Sequence, residues 1–385
     1  IASRLAMGRA MRWPPWSTMG VGMSATVRKR TWMHVLFALL ITAICVEVAA
    51  RILWPEVSND EAYWERAFVR LQNSGVRASN TSTGTPTALV QRFSANGSRT
   101  FKCAEYEHVV RSNALGFRSR DLEPRQSGEY RMLWVGDSML FGIGVDRAEM
   151  ASAQLEKEAL SQGKTVRVYN HSIPGHNTAQ ELSVAREFIA RVGPDHLVVG
   201  VFTANDVIPN AVVELSDEGV YGVNEEKYDL LKQRMKDTYP PVLGASSLFR
   251  YFALPIWVPR LRYQFSAMPD VLASTIDLIE SFQTLTRRHQ CRLTVVIVQP
   301  RDAVEGGLVQ SWSQSRHVAE LLVAACRARG IDVLDMVDHM SGGEDRKTLF
   351  YPRDGHFTAR GQQRVAEALW RDVVLPAMAT VSAAP

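Results

Sequence analysis

The chain has 385 residues, 46% hydrophobic and 22% charged, which is ordinary for a globular protein and argues against general disorder. The length exceeds what one compact α/β domain usually needs, so it predicts two or three units, or one domain with additions. The net charge of +4 is too small to indicate nucleic acid as a partner, because many of the arginines lie close to the amino terminus.

The four cysteines, at positions 45, 103, 291 and 326, show no Cys-x-x-Cys or Cys/His spacing. No structural zinc site and no other metal site is therefore expected. Cys45 lies in an apolar segment, and an oxidising compartment would allow one disulfide among Cys103, Cys291 and Cys326.

A basic flank, residues 1–31, precedes an apolar segment, residues 32–54. This order places the flank in the cytoplasm and directs the following chain outward. We therefore expect a single-pass anchor in a bacterial inner membrane, with the domain that follows it on the periplasmic or extracytoplasmic side. A cleaved signal peptide is the alternative, because the small pair Ala49-Ala50 suits a processing site.

Residues 55–130 are polar, with a Ser/Thr/Asn/Gly cluster near residue 80. This composition predicts a stalk or a small irregular cap rather than a second hydrophobic core.

From residue 131 to 376, short β-rich runs alternate with helical patterns. The predicted strands are Met132 to Val135, Val166 to Tyr169, His196 to Phe202, Leu293 to Val298 and Ile331 to Met336. The predicted helices are Met150 to Ser161, Asn177 to Arg191, Val271 to Arg288, Arg316 to Arg329 and Thr358 to about Val374. Such alternation predicts an α/β domain with a parallel sheet covered on both faces.

One connection, residues 208–269, has no clear strand and is long enough to be an inserted subdomain. Its aromatic and basic residues are consistent with packing against the main domain, or with a lid, an acyl-group pocket or a patch on the membrane surface. Residues 377–385 are expected to form a C-terminal tail.

The triplet Gly136-Asp137-Ser138 follows one of the predicted strands and precedes a glycine-containing loop. A serine at the carboxyl end of a strand is well placed to serve as a nucleophile in an open α/β sheet. Alone the triplet is a weak signal, so Ser138 needs partners elsewhere in the chain.

A serine hydroxyl needs a base within hydrogen-bond reach and a group that holds the base in the right tautomer. His356 is the candidate base, in a loop before the last predicted helix. Asp354 lies two residues earlier, and in an extended segment the two side chains would project to the same side. Asp354 is therefore the candidate acid.

Acyl transfer also needs donors that face the oxyanion formed on the carbonyl oxygen. The backbone N–H of Ser138 is one candidate. Gly175 follows the second predicted strand and could offer another backbone N–H, and Asn205 follows the third strand and could offer a side-chain amide. Singly, Gly175 would be a turn glycine and Asn205 a helix cap, but their shared placement favours catalysis.

Together these residues resemble the SGNH hydrolase superfamily, also called GDSL esterases and lipases, and in particular its membrane-tethered bacterial type. Gly136-Asp137-Ser138 matches the first block, Gly175 the second, Asn205 the third, and Asp354 with His356 the last. The resemblance implies a three-layer α/β/α flavodoxin-like fold and a metal-free, cofactor-free serine esterase.

The sequence also departs from the family pattern. Ala204 stands where the third block more often has glycine, and the acid precedes the histidine by two positions instead of three. The two-residue spacing resembles membrane-tethered and polysaccharide-acetylation branches of the superfamily, and it weakens the assignment of Asp354 more than that of Ser138 or His356.

The leading hypothesis is hydrolysis of a short O-acyl ester, for example acetyl, on an envelope or exported glycan. The alternatives are an O-acyltransferase for a polysaccharide, a lipase or thioesterase, and, from a different class, an inactive glycan-binding scaffold. The expected partners are a small-molecule or glycan ester and the membrane, with no nucleic acid; the sequence does not indicate an oligomeric state.

Overall fold

The computed structural model describes residues 25–53, 92–215, 221–238 and 246–382. Most of the basic flank, about half of the predicted stalk or cap (residues 55–91), two parts of the 208–269 connection and the last three residues lie outside the described residues. The helix near the amino terminus belongs to one structural unit, and all the other described elements belong to a second.

The strands of the described residues are numbered in chain order. They are β1 (Ser98–Lys102), β2 (Glu107–Arg111), β3 (Tyr130–Val135), β4 (Val166–Asn170), β5 (His196–Phe202), β6 (Val213–Leu215), β7 (Tyr221–Val223), β8 (Arg292–Val298) and β9 (Asp332–Asp335). The five strands predicted from the sequence correspond to β3, β4, β5, β8 and β9, with small differences at their ends.

The helices of the described residues are numbered in the same way. They are α1 (Ala25–Leu53), α2 (Ser138–Phe141), α3 (Ala151–Ser161), α4 (Thr178–Val192), α5 (Val207–Val212), α6 (Glu225–Thr238), α7 (Ser247–Ser266), α8 (Pro269–Arg288), α9 (Arg301–Glu305), α10 (Leu308–Ser313), α11 (Ser315–Ala328), α12 (Met336–Met340), α13 (Ala359–Leu369) and α14 (Leu375–Ser382).

Helix α1 contains a 25-residue stretch, Lys29–Leu53, that is long and apolar enough to cross a membrane. Arg51 and Glu47 form an ion pair one helical turn apart, at 2.9 Å. A signal sequence near the amino terminus meets the same criteria, so α1 is a candidate membrane segment by length and composition.

The five core strands form one parallel sheet with the order β4-β3-β5-β8-β9. Successive side chains of a strand point to opposite faces. Leu133 and Val199 accordingly belong to one buried cluster, and Trp134 and Val198 to the other. Residues of α4, α8 and α11 complete the first cluster, and residues of α3, α12 and α13 complete the second. The fold is therefore a three-layer α/β/α sandwich.

The 208–269 connection is mostly helical but contains a short antiparallel pair, β6 and β7. The sequence showed no strand here because three residues per strand are too few to establish an alternating pattern. Helix α7 from this connection packs against α10 and α11, and the rings of Trp257 and Trp312 meet edge to face at 5.0 Å.

The last helical segment differs from its prediction at the C-terminal end. Val365 and Leu369 of α13, four residues apart on one helix face, are fully buried. The chain then passes through a π-helical turn, Trp370–Val374, into α14, whose Ala377 is buried. Residues 377–382, assigned to a tail from the sequence, are therefore helical.

Candidate active site

Ser138 lies where the buried strand β3 ends and the short helix α2 begins. Asp137 caps this helix, and its Oδ1 accepts a hydrogen bond from the backbone N–H of Met139 at 2.9 Å. Only 8% of Ser138 is exposed. The hydroxyl is thus held at the carboxyl edge of the sheet, where ligands bind in open α/β folds.

Close packing fixes the turn that carries Ser138. Leu140 folds back over the strand ends, so that a Cβ on Gly200 of β5 would lie 2.5 Å from its Cδ1. A Cβ on Gly136 would also be tight, at 3.0 Å from the same atom. Side chains at these two positions would displace Leu140, and with it the helix that begins at Ser138.

His356 reaches Ser138 from the loop before α13. Its Nε2 lies 2.8 Å from the Ser138 Oγ, and its Nδ1 forms a hydrogen bond with Asp354 Oδ1. The structure therefore brings the three residues together in the order that general-base activation of a serine requires.

The sequence predicted an extended backbone between Asp354 and His356, but this backbone forms a turn. Gly355 has φ +84°, in the left-handed region, and its N–H bonds to the carbonyl of Tyr351 at 2.9 Å. The N–H of Tyr351 bonds to the carbonyl of His356 at 2.8 Å. A glycine between the two residues lets the chain turn so that the carboxylate meets the near ring nitrogen.

The surroundings of Asp354 favour its charged form. Burial opposes ionisation, but the hydrogen bond and charge of His356, together with a hydrogen bond from Tyr106, outweigh it and place the pKa of Asp354 below its ordinary value. The side chains of Asp354 and His356 are each 22% exposed. An ionised carboxylate in this position can hold the imidazole with its Nδ1 protonated and its Nε2 free to accept a proton.

Asn205 lies in the turn after β5, where its N–H bonds to the carbonyl of Phe202 at 3.1 Å. Its side-chain Nδ2 donates to Asp137 Oδ2 at 3.0 Å. The helix that follows begins after Asp206, so the Asn205 amide is directed toward the serine turn and does not cap that helix.

Three buried carboxyl groups, Asp137, Glu181 and Asp206, lie close to one another behind this edge of the sheet. Burial raises the pKa of each, and the neighbouring carboxyl groups raise those of Glu181 and Asp206 further. Hydrogen bonds from the backbone N–H of Met139 and the side-chain amide of Asn205 act to lower the pKa of Asp137. Glu181 and Asp206 are thus held toward their neutral forms, and a cluster of perturbed acids is typical of functional sites.

Gly175 lies in the turn after β4 with φ +82°. This turn is tied to the serine turn, since the N–H of Ile173 bonds to the carbonyl of Gly136 at 2.9 Å. Gly175 is not among the described residues that line the cavity at Ser138. Its role as an oxyanion donor stays a prediction.

A cavity of about 410 Å³ opens at Ser138, within the range typical of ligand pockets. Ser138, Asn205, Asp354 and His356 all line it. The opposite wall is formed by residues of α7 and of the segment from 300 to 309, namely Pro259, Arg262, Tyr263, Pro300, Arg301, Asp302 and Val309. The 208–269 connection therefore contributes directly to this cavity.

Several supporting residues escaped the sequence analysis. Asn170 Nδ2 donates to the Leu140 carbonyl at 2.8 Å, and Gln362 Nε2 donates to the Met139 carbonyl at 2.9 Å. The buried guanidinium of Arg118 donates to the carbonyls of Gly142 and Val145, each at 2.6 Å. All three fix helix α2 or the loop after it. Asn170 ends a strand and Gln362 lies on the buried face of a helix, so each has only a weak local signal, whereas Arg118 lies in the segment between β2 and β3.

The chain matches the model of the GDSL-like lipase/acylhydrolase family over residues 134–364. It is similar to the crystal structure of TesA over 65% of this chain and 99% of that one, with 15% identity and a TM-score of 0.38. The esterase EstA from Pseudoalteromonas sp. has 9% identity, coverages of 64% and 97%, and a TM-score of 0.37. The lipase/acylhydrolase from Enterococcus faecalis has 12% identity, coverages of 63% and 95%, and a TM-score of 0.37. No curated protein matches this sequence.

The region matched by the family model covers more than half of the chain. It includes the serine turn after β3, the turn after β5 and the loop that carries His356. The chain therefore belongs to the GDSL-like lipase/acylhydrolase family and is an ester-bond hydrolase.

Proposed function

We propose that the protein hydrolyses short O-acyl esters, such as acetyl esters, on an envelope or exported glycan, through an acyl-enzyme on Ser138. The observation that carries the chemistry is the chain of contacts from Ser138 Oγ to His356 Nε2, at 2.8 Å, and from His356 Nδ1 to Asp354. This arrangement is the one that activates a serine hydroxyl.

In the first half of the reaction, His356 Nε2 takes the proton of Ser138 while Oγ attacks the ester carbonyl. The imidazolium then returns the proton to the leaving alcohol, and the acyl group stays on Oγ. In the second half, His356 takes a proton from water, the resulting hydroxide attacks the acyl carbonyl, and Oγ leaves with the proton. Asp354 stabilises the imidazolium in both halves and is not itself protonated.

The developing oxyanion would be stabilised by the Ser138 N–H, the Gly175 N–H and the Asn205 amide. The Nδ2 of Asn205 carries two hydrogens, and one is used by Asp137. The other hydrogen is available to the oxyanion, in an orientation that the first bond fixes in advance.

Two further observations support the substrate class. The cavity of about 410 Å³ is large enough to hold a short acyl ester together with part of its alcohol group. The proposal of a glycan substrate rests on the Asp354–His356 spacing, which resembles that of polysaccharide-acetylation branches. The proposed location outside the cytoplasm rests on α1 as a candidate membrane segment.

The test compares purified protein on nitrophenyl esters of increasing acyl length and on an O-acetylated polysaccharide, with Ser138→Ala as the control. We expect kcat/KM to be highest for acetyl, free acetate to appear from the polysaccharide, and both activities to be lost in the variant. A kcat/KM that rises tenfold or more from acetyl to a long acyl chain would assign a lipase instead. Acetyl groups recovered on an added glycan, and not as free acetate, would assign an acyltransferase.

A further inference from the structure

The tip of the β1–β2 hairpin touches the loop that carries Asp354, although the hairpin lies before the region matched by the family model. The hydroxyl of Tyr106 donates a hydrogen bond to Asp354 Oδ2 at 3.0 Å. The other carboxylate oxygen, Oδ1, is bound to His356 Nδ1. Each oxygen of the candidate acid thus has its own donor, and Tyr106 is on the side away from the histidine.

A second contact from the hairpin holds the backbone of the same loop. The Glu105 carboxylate accepts hydrogen bonds from the N–H of Asp354 at 2.7 Å and from the N–H of Arg353 at 3.0 Å. Bonds from backbone N–H groups to a charged acceptor are among the stronger ones in proteins. Glu105 and Tyr106 therefore hold both the main chain and the side chain of Asp354.

The hairpin is itself fixed to the serine side of the site. Its Val110 packs with Phe141 and Ile143 in a small buried cluster, and the ring of Phe101 lies 6.1 Å from that of Phe141. Phe141 is the last residue of the helix that begins at Ser138. The hairpin thus connects the element that carries the nucleophile with the loop that carries the acid and base.

We propose that Tyr106 is a positioning residue that orients the Asp354 carboxylate toward His356. The β1–β2 hairpin would then contribute to the geometry of the catalytic residues. The inference rests on the proposed function of Asp354 as the acid of the triad. Tyr106 acts through Asp354 and contacts neither the serine nor the histidine in any hydrogen bond of the described residues.

The phenol is suited to this role because it stays protonated. Burial and the charge of Asp354 raise the pKa of Tyr106 above its ordinary value. The other titratable groups around the pair are Glu105 and Cys103 from the hairpin and Tyr351 and His356 from the loop. Without the phenol hydrogen bond the carboxylate would be less stabilised, so the pKa of Asp354 would rise and Asp354 would stay protonated to a higher pH than in the wild type.

The test compares Tyr106→Phe with Tyr351→Phe in the full chain, measuring kcat, KM and the pH profile on nitrophenyl acetate. Tyr351 is a matched control, because its ring lies 4.9 Å from that of Tyr106 while its hydroxyl donates to the Gly144 carbonyl. For Tyr106→Phe we expect kcat to fall about tenfold, the effect typical of losing a hydrogen bond to a charged group, with little change in KM. The acid limb of the profile should move to higher pH.

We expect Tyr351→Phe to keep kcat within about twofold and the acid limb in place. A Tyr106→Phe enzyme with wild-type kcat and an unshifted acid limb would overturn the proposal. Equal effects of the two substitutions would also overturn it, because they would indicate a general loosening of the loop.

The same comparison in an Asp354→Ala background separates this inference from the proposed function. If Tyr106 acts through Asp354, Tyr106→Phe should have no further effect there, and a further tenfold loss would refute the inference. If Asp354→Ala alone keeps the wild-type rate, it is the triad assignment that fails. Thermal melting of every variant shows whether each one is folded.

Discussion

The side-chain amide of Asn205 donates to the Asp137 carboxylate at 3.0 Å, which joins the turn after β5 to the turn that carries Ser138. Asp137 uses its other oxygen to cap the helix that begins at Ser138. One carboxylate therefore orients helix α2, which begins at the candidate nucleophile Ser138, together with a candidate oxyanion donor. This shared support predicts that the two turns act as one unit in catalysis.

Replacing Asn205 with alanine should reduce kcat by about a hundredfold or more and change KM little, because an oxyanion donor acts on charge that appears in the transition state. The melting temperature and kcat are to be measured on the same preparation. A lowered melting temperature with normal turnover per folded molecule would exclude the oxyanion role, and would leave the N–H groups of Ser138 and Gly175 as donors.

Replacing His356 with alanine should be as severe as replacing Ser138, because members of a catalytic unit do not contribute additively. Asp354→Ala should cost less, since Asp354 orients the base without exchanging protons. The measurement is kcat on nitrophenyl acetate for the single and double variants. A double Ser138→Ala/His356→Ala variant far slower than either single variant would show that the two residues act independently.

Glu181 predicts an unusual dependence of stability on pH. It is 1% exposed, and neither carboxylate oxygen has a hydrogen-bond partner among the described residues. Burial, and then Asp206 and Asp137, raise its pKa well above the ordinary value. A group with a raised pKa in the folded state stabilises the fold most below its unfolded pKa, and this contribution is lost as the pH rises through the folded pKa.

Glu181→Gln should therefore raise the melting temperature relative to wild type more at pH 8 than at pH 5. The wild type loses stability as the pH rises, and the glutamine amide does not ionise, so the variant keeps that stability. Thermal unfolding of both proteins at the two pH values measures the difference. A difference that is the same at both pH values, or larger at pH 5, would show that Glu181 is ionised in the folded protein.

The position of the catalytic domain relative to the membrane can be tested with a reporter fused to the carboxyl terminus of the full chain. The basic flank and α1 predict that a reporter active only outside the cytoplasm is active in this fusion. Activity of a reporter that works only in the cytoplasm would show that the catalytic domain is cytoplasmic, opposite to the predicted topology. Amino-terminal sequencing of the mature protein distinguishes an anchor from a signal peptide, since a start near Arg51 indicates cleavage.

The sequence predicted the sheet and the site in different ways. The core strands were predictable because continuous apolar runs are required of strands buried on both faces. Ser138 and Asn205 were predictable as candidates because each follows such a strand, and His356 because it lies in a loop just before the last predicted helix, with an acidic residue two positions earlier. The approach of the two turns follows from the parallel order of β3 and β5.

Other features had no local signal. Tyr106 meets Asp354 across 248 positions of the chain, from a hairpin whose strands have five residues each. Nothing in the residues around position 106 indicates the distant carboxylate. The turn at Gly355 was also missed, because a glycine between two polar residues is consistent with an extended segment as well as with a left-handed turn.

The central claim is that Ser138 is an activated nucleophile, and covalent labelling tests it most directly. The purified protein and its Ser138→Ala variant are treated with a serine-reactive fluorophosphonate and analysed by intact and peptide mass spectrometry. We predict one adduct, located on Ser138, at a rate that falls strongly in His356→Ala, and no adduct in Ser138→Ala. Labelling of another serine, or equal labelling of the wild type and Ser138→Ala, would contradict the account.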